Sequence, residues 1–214
     1  MKIKLFREFN NRVDLDTCNE IADSIISEVE TDIQNGQRTN LFGGLDNVYS
    51  LDFAFTKDGV SELLNDSNYL KPFIDEVVDT DKYNAFYLNA LIIDDGNSVQ
   101  KHLDVSLSGF LKFQVKAHNV SVLYLRVPDD MVGGELKLYL GNVLQSVKPE
   151  AGKIVSFDGY PHSVDVTHTK HQRISLVLES YYLMEESYSK IPTFCRDKFP
   201  YETFNVDDKH EKEV

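Results

Sequence analysis

The chain has 214 residues, with 22 Lys+Arg against 35 Asp+Glu, a formal charge of −13. At 42% hydrophobic and 27% charged residues it is an ordinary globular composition, of a length that suits one β-rich domain with helical additions. The negative balance argues against gripping phosphate backbones, which depends on Lys and Arg releasing counterions, so no nucleic-acid partner is expected.

In chain order, the first residues, MKIKLFREFNNRVD, carry no apolar targeting segment, and no apolar run approaches the ~18 residues a membrane helix needs. A cytoplasmic protein without a membrane partner is expected. From Thr17, the residues Cys18, Ile21, Ile25, Val29 and Ile33 recur at three- and four-residue steps, the stripe of an amphipathic helix. Thr17-x-x-Glu20 reads as its capping box, with Asp14 and Asp16 favouring the positive end and Gly36 as the stop. A Gly-rich loop, Leu41-Phe-Gly-Gly-Leu-Asp-Asn47, follows. It reads either as a plain connection or as a lid hinged at Gly43 and Gly44. A second helical stretch spans about 61–78, with Leu63, Leu64, Leu70, Phe73, Ile74, Val77 and Val78 on its apolar face, and Pro72 is expected to split it.

From about 83 the pattern changes to short β-type runs at 84–94, 100–106, 119–128, 134–141, 143–148, 152–158, 162–167 and 172–184. Turn residues such as Asp94-Asp-Gly-Asn97 and Asp158-Gly-Tyr-Pro161 separate them. Closely spaced strands without intervening helices predict a barrel or a double-sheet jelly roll. The fold class is therefore mainly β with N-terminal helices (α+β) around a double-stranded β-helix core. The organisation read from this is 1–82 as helical support, 83–187 as the core, and 188–214 as an extension ending in a mobile acidic tail. The oligomeric state is not legible.

Cys18 and Cys195 are far apart and form no CxxC pair, which excludes a zinc ribbon, an iron–sulfur cluster and a disulfide scaffold. Of the six histidines, His118, His168, His171 and His210 sit in polar surroundings that suit the surface. His102-Leu-Asp104 is different. On a strand, positions i and i+2 share a face, so both side chains could serve one metal. His162 opens a later strand. The run Gln172-Arg-Ile-Ser-Leu-Val-Leu178 is strongly apolar yet carries Arg173, with Ser175 and Val177 on the same face and Ile174, Leu176 and Leu178 on the other. A covered guanidinium needs an anion; a bound carboxylate would fit, held by two parallel bonds with Ser175 adding a third. The alternative is an Arg173 at an exposed strand start, paired with a surface acid. Two His and one carboxylate leave three metal positions open, the facial arrangement of non-haem Fe(II) oxygenases.

The pieces Asp95-Gly96, His102-Leu-Asp104, Val122-Leu-Tyr-Leu125, Gly133-Gly-Glu-Leu136, Pro149-Glu-Ala-Gly152, Val155-Ser-Phe157, His162-Ser-Val164 and Gln172-Arg-Ile-Ser-Leu176 occur in this order over about half the chain. That stretch resembles the catalytic jelly roll of the Fe(II)/2-oxoglutarate-dependent dioxygenases, in particular the prolyl 4-hydroxylase-like branch. The resemblance implies His102, Asp104 and His162 as iron ligands and Arg173 as the clamp on the distal carboxylate of 2-oxoglutarate. Ser175 would assist, and Tyr124 would hydrogen-bond the same carboxylate. Many members carry an aromatic on the first core strand where this chain has Ile92-Ile93; Asn89 and Tyr87, on one face with Leu91, are the candidates to replace it in the cofactor pocket. It further implies Fe(II) and 2-oxoglutarate as cofactor and co-substrate, with ascorbate as a candidate reductant. The reaction would be hydroxylation of an unactivated C–H on a peptidyl (prolyl) or small-molecule substrate, consuming O₂ and releasing succinate and CO₂. The rivals are a non-catalytic jelly-roll binding module and a cupin-like metalloenzyme that uses no keto acid.

Overall fold

A computed structural model describes residues 4–35 and 48–197. The Leu41–Asn47 loop and the acidic tail, with His210, lie outside them. The chain runs β1 (Phe6–Phe9), α1 (Leu15–Gln34), β2 (Val48–Thr56), α2 (Val60–Asp66), α3 (Lys71–Val77), β3 (Ala85–Ile93), β4 (Val99–His102) and α4 (Ser108–Leu111). It continues through β5 (Asn119–Arg126), β6 (Val132–Gly133), β7 (Leu136–Leu140), β8 (Val143–Val147), β9 (Ile154–Asp158), β10 (His162–Val164), β11 (Thr167–His168), β12 (Arg173–Tyr181), α5 (Glu185–Tyr188) and β13 (Phe194–Arg196).

Two antiparallel sheets form the jelly roll. The larger has the order β1-β9-β5-β12-β3-β2-β13 and the smaller β4-β10-β7-β8, with β11 and β6 as a separate pair. Period-two alternation sorts the large sheet's side chains by face. Leu51, Phe53, Phe55, Leu88, Ile92, Leu123, Ile174, Leu176 and Leu178 form one buried cluster with Cys18, Ile21, Ile25, Leu63 and Phe73 of the helices. Leu91, Val122, Tyr124, Val155 and Phe157 point the other way and meet Leu136, Leu138 and Val164 of the small sheet. The two-sided burial explains why β3 is apolar almost throughout, whereas β12, nearly as buried, carries Arg173, Ser175, Glu179 and Ser180. Arg173, Ser175, Asn89 and Glu179 are therefore exceptions on the inner face.

Three differences from the sequence expectation have physical causes. The first helix starts at Leu15, because Asp14 is the cap: its carboxylate accepts from Thr17 N at 2.9 Å and from Thr17 Oγ1 at 2.7 Å. Asp caps as well as Thr, and an upstream cap adds a turn. The second stretch breaks at Ser67 rather than at Pro72, which sits in the first turn of α3, where a missing N–H costs nothing. The first 82 residues are not only helical, nor is the C-terminal extension only a tail: β1, β2 and β13 all join the large sheet. In β2, Leu51, Phe53 and Phe55 alternate with Ser50, Asp52 and Ala54, the period-two signal of a strand, although both faces are buried.

Candidate metal centre and anion pocket

The small sheet brings the three metal-ligand candidates together. β10 pairs with β4 so that His162 lies opposite His102, and the ring centroids are 4.3 Å apart. Asp104 follows two residues beyond the end of β4. Its Oδ1 lies 3.5 Å from His102 Nε2 and its Oδ2 3.5 Å from His162 Nε2. One ligand atom from each of the three falls within 4.8 Å of the others. Both imidazoles are oriented by the backbone two residues upstream: His102 Nδ1 sits 2.8 Å from the Gln100 carbonyl oxygen and His162 Nδ1 3.0 Å from that of Tyr160. A carbonyl can only accept, so each Nδ1 carries the proton and each Nε2 presents its lone pair toward Asp104. That is the tautomer a metal requires.

The surroundings set the protonation of the pair. Burial pulls His102 down, but the hydrogen bond and charge of Asp104, with the Gln100 carbonyl, outweigh it and leave its pKa raised. His162 is lowered: burial dominates over Asp104, and the charge of His102 adds to it. Phe157 closes its far side, with an edge-on ring contact at 5.1 Å.

The three ligands open into a cavity of about 160 Å³ between the sheets, whose walls include Asn89, Leu91, Val99, Leu103, Val122, Tyr124, Leu136, Val164, Arg173, Ser175, Val177 and Glu179. Arg173 is only 2% exposed, so it is not an exposed strand-start residue. Its Nη1 donates to the Gly134 carbonyl at 2.9 Å, and its guanidinium lies over the Tyr124 ring at 5.2 Å. Burial lowers its pKa, against the opposing pull of Tyr124 and Glu135, though a guanidinium keeps its proton in proteins. Gly134 makes this arrangement possible. Its φ is +74°, and a Cβ there would lie 3.0 Å from Thr167 Oγ1 and 3.3 Å from Arg173 Nη1.

Unpartnered polar atoms concentrate here. Asp104 Oδ2, Arg173 Nε, Ser175 Oγ, Tyr124 OH and Asn89 Oδ1 are buried without a hydrogen-bond partner among the described residues. Tyr124 is fully buried, and burial pushes its pKa up. A cation at one place and an anion at another would satisfy this set. The three metal-ligand candidates and Arg173, Ser175, Tyr124 and Asn89 thus share one cavity. Tyr87 does not line it; its hydroxyl donates to Asp52 at 3.0 Å. His118, His168 and His171 are exposed, as expected. Cys18 is buried, which pushes its thiol up to about 11, while Cys195 is half-buried.

Sequence reasoning missed Glu179 as a site residue. It lies in the cavity wall on the face of Arg173, with burial and the charge of Asp104 pushing its carboxyl up to about 8. The signal was an acid on the face of Arg173, at a period-two position of a strand with a strongly apolar run.

No family profile matches this sequence, and no curated protein matches it. Solved structures do. A prolyl-4-hydroxylase from Pseudomonas putida is 17% identical, with a TM-score of 0.53 over 84% of this chain and 94% of that one. The viral collagen prolyl hydroxylase of Paramecium Bursaria Chlorella virus-1, in its 2OG complex, is 13% identical, with a TM-score of 0.53 over 85% and 97%. A Trichoplax adhaerens prolyl hydroxylase, solved with a hypoxia inducible factor peptide, is 18% identical, with a TM-score of 0.53 over 86% of each chain. The chain has the fold of the prolyl hydroxylases. That fold is the expected jelly roll. Among the described residues no helix is long and apolar enough to cross a membrane.

Proposed function

We propose that this chain is an Fe(II)- and 2-oxoglutarate-dependent dioxygenase that hydroxylates an unactivated C–H of a peptidyl or small-molecule substrate. One observation carries the reading: a His-Asp-His cluster with an unpartnered Asp104 Oδ2 shares its cavity with a buried Arg173 whose Nε has no acceptor. A binding module would have no use for a metal triad with preset tautomers, and a metalloenzyme without a keto acid would leave Arg173 without a role.

The residues fit both groups. Two imidazoles and a carboxylate suit Fe(II) and leave coordination positions open. Bound there, the iron with 2-oxoglutarate and O₂ would supply the oxidising power for C–H hydroxylation, with succinate and CO₂ as co-products. His102 and His162 each present Nε2, and Asp104 supplies the negative charge that offsets part of the metal's. Arg173 binds the distal carboxylate of the keto acid; its planar guanidinium offers paired donors in a cavity where an ammonium would offer a point charge. Ser175 Oγ and Tyr124 OH add neutral donors to the same carboxylate, and Asn89 borders the cofactor pocket. Leu91, Val99, Val122, Leu136 and Val164 keep water from the region between clamp and metal. Ascorbate would act as an accessory reductant. The prolyl peptide is the first substrate to test, because one of the similar structures was solved with a peptide.

The deciding experiment adds Fe(II), 2-oxoglutarate and O₂ to the purified chain and measures succinate. Release that disappears in His102→Ala supports the reading. A protein that binds Co(II) in the triad but releases no succinate with any prolyl peptide or amino acid offered would favour the non-catalytic rival.

A further inference from the structure

Asp104 is the one metal-ligand candidate that no sheet holds. His102 and His162 sit opposite each other in the β4–β10 ladder. β4 ends at His102, and Asp104 begins the excursion 103–118 that carries α4. Two tethers fix this stretch near the metal ligands. Ala117 N donates to the Asp104 carbonyl at 2.9 Å. The other tether is Glu179 of β12. Its Oε1 accepts from Ser106 Oγ at 2.6 Å and its Oε2 from Ser106 N at 3.3 Å, and the Tyr181 hydroxyl donates to the same Oε2.

Glu179 is 3% exposed, and its hydrogen bonds come from two hydroxyls and an amide rather than from a Lys or Arg. Burying a carboxyl without a cation is expensive, and an apolar residue of similar volume would usually be better tolerated. The cost is understandable if the two-pronged grip does something an apolar side chain cannot. It ties Ser106, two residues beyond Asp104, to β12, an interior strand of the large sheet. The rest of the excursion has its own fastenings: Val115 N donates to Ser108 Oγ at 2.9 Å, and His118 N to the Ser180 carbonyl at 2.9 Å. Removing the Glu179 grip therefore loosens the Asp104 end, leaving it only the Ala117 bond, while the far end stays attached.

We propose that Glu179 is a positioning residue which, by clamping Ser106 with both carboxyl oxygens, holds the Asp104 carboxylate in register with His102 and His162. The inference rests on the metal-site reading above. It concerns the geometry of the triad itself, so metal binding alone can test it.

The probe is Co(II), titrated into the full-length apo protein under visible absorbance, with circular dichroism and melting recorded for every variant. Groups that orient metal ligands typically contribute about 10–100-fold in metal affinity, so Glu179→Ala is expected to weaken Co(II) binding by about that factor and to alter the ligand-field spectrum. Glu179→Gln keeps an acceptor for Ser106 Oγ, loses the one for Ser106 N, and should fall between Ala and wild type. Ser106→Ala should weaken binding by a smaller factor in the same direction. A purely structural Glu179 would lower the melting temperature without moving Co(II) affinity or spectrum; that result in folded Glu179→Ala overturns the proposal. If Glu179→Ala does not fold, Ser106→Ala decides: wild-type affinity and spectrum overturn it, and weakened binding supports it. Wild-type protein that binds no Co(II) would instead overturn the metal site itself, and the positioning role with it.

Discussion

Arg173→Ala gives the most direct measure of the anion pocket. The guanidinium is 2% exposed, its only described hydrogen bond is to the Gly134 carbonyl, and its Nε is unpartnered. In the variant, the distal carboxylate of 2-oxoglutarate would be buried without a cation. Truncating one partner of a buried charge pair costs roughly 2–5 kcal/mol, which is a loss of about 30-fold or more in affinity. Arg173→Lys should recover only part, because an ammonium cannot make the paired contact. Ser175→Ala removes one neutral donor, worth on the order of 1 kcal/mol, or about fivefold. The assay is anaerobic calorimetry of 2-oxoglutarate into Fe(II)-loaded protein, with succinate as the control ligand. The Ala variant also loses the bond to Gly134 and the stacking on Tyr124, so its melting temperature should fall; affinity is therefore read only on protein shown to be folded. An Arg173→Ala protein that binds 2-oxoglutarate like wild type would refute the assignment of this cavity.

Three further outcomes follow from the geometry. His102→Ala, Asp104→Ala and His162→Ala should each abolish succinate release with little change in circular dichroism, because ligands converging on an open cavity contribute little to folding; full activity in any one would remove it from the triad. Metal affinity should weaken as the pH falls through the histidine range, because the metal needs neutral imidazoles. The pKa of His102 is raised, so its competing proton binds already above the ordinary histidine range, whereas His162, lowered, competes only at lower pH; a Co(II) affinity flat across this window would contradict the arrangement. Gly134→Ala forces a side chain into a left-handed conformation, at about 1–2 kcal/mol, and crowds Arg173 Nη1. Both melting temperature and 2-oxoglutarate affinity should drop, and a variant that loses neither would mean that Arg173 does not depend on this close approach.

The core strands, and the three candidate ligands His102, Asp104 and His162 that the fold brings together, were legible because they rest on local signals. Period two sorted the faces of β12 correctly, whereas His102 and Asp104 meet although Asp104 lies beyond the end of β4, so strand alternation is not what joins them. β1 and β13, at the two edges of the large sheet, are short and polar, so neither composition nor periodicity separates them from loop. The β2 strand was readable from Leu51, Phe53 and Phe55 but follows directly on a Gly-rich segment. Its place between β3 and β13 is set by pairings far apart in the chain. The imidazole tautomers were not legible, because they depend on carbonyl directions at Gln100 and Tyr160. Glu179 carried a signal, but its partner was not legible, because Ser106 is 73 positions away.

The same contrast separates what stabilises this fold from what the site costs it. Buried polar atoms are as a rule paired, and elsewhere among the described residues Glu28, Tyr69, Thr167 and Ser180 depart from it. Around the cavity, five side chains break it together: Asn89, Asp104, Tyr124, Arg173 and Ser175. An unmet buried donor or acceptor costs on the order of 1–3 kcal/mol, so a chain under selection for stability alone would not gather five in one place. They are of complementary kinds. The Asp104 oxygen faces the two imidazole lone pairs and lacks a cation, whereas Arg173, Ser175 and Tyr124 are donors and lack an acceptor. A metal without an anion, or an anion without a metal, would satisfy only half the set. This division, more than the histidines alone, is what makes a metal with a chelating acid the best-supported occupant.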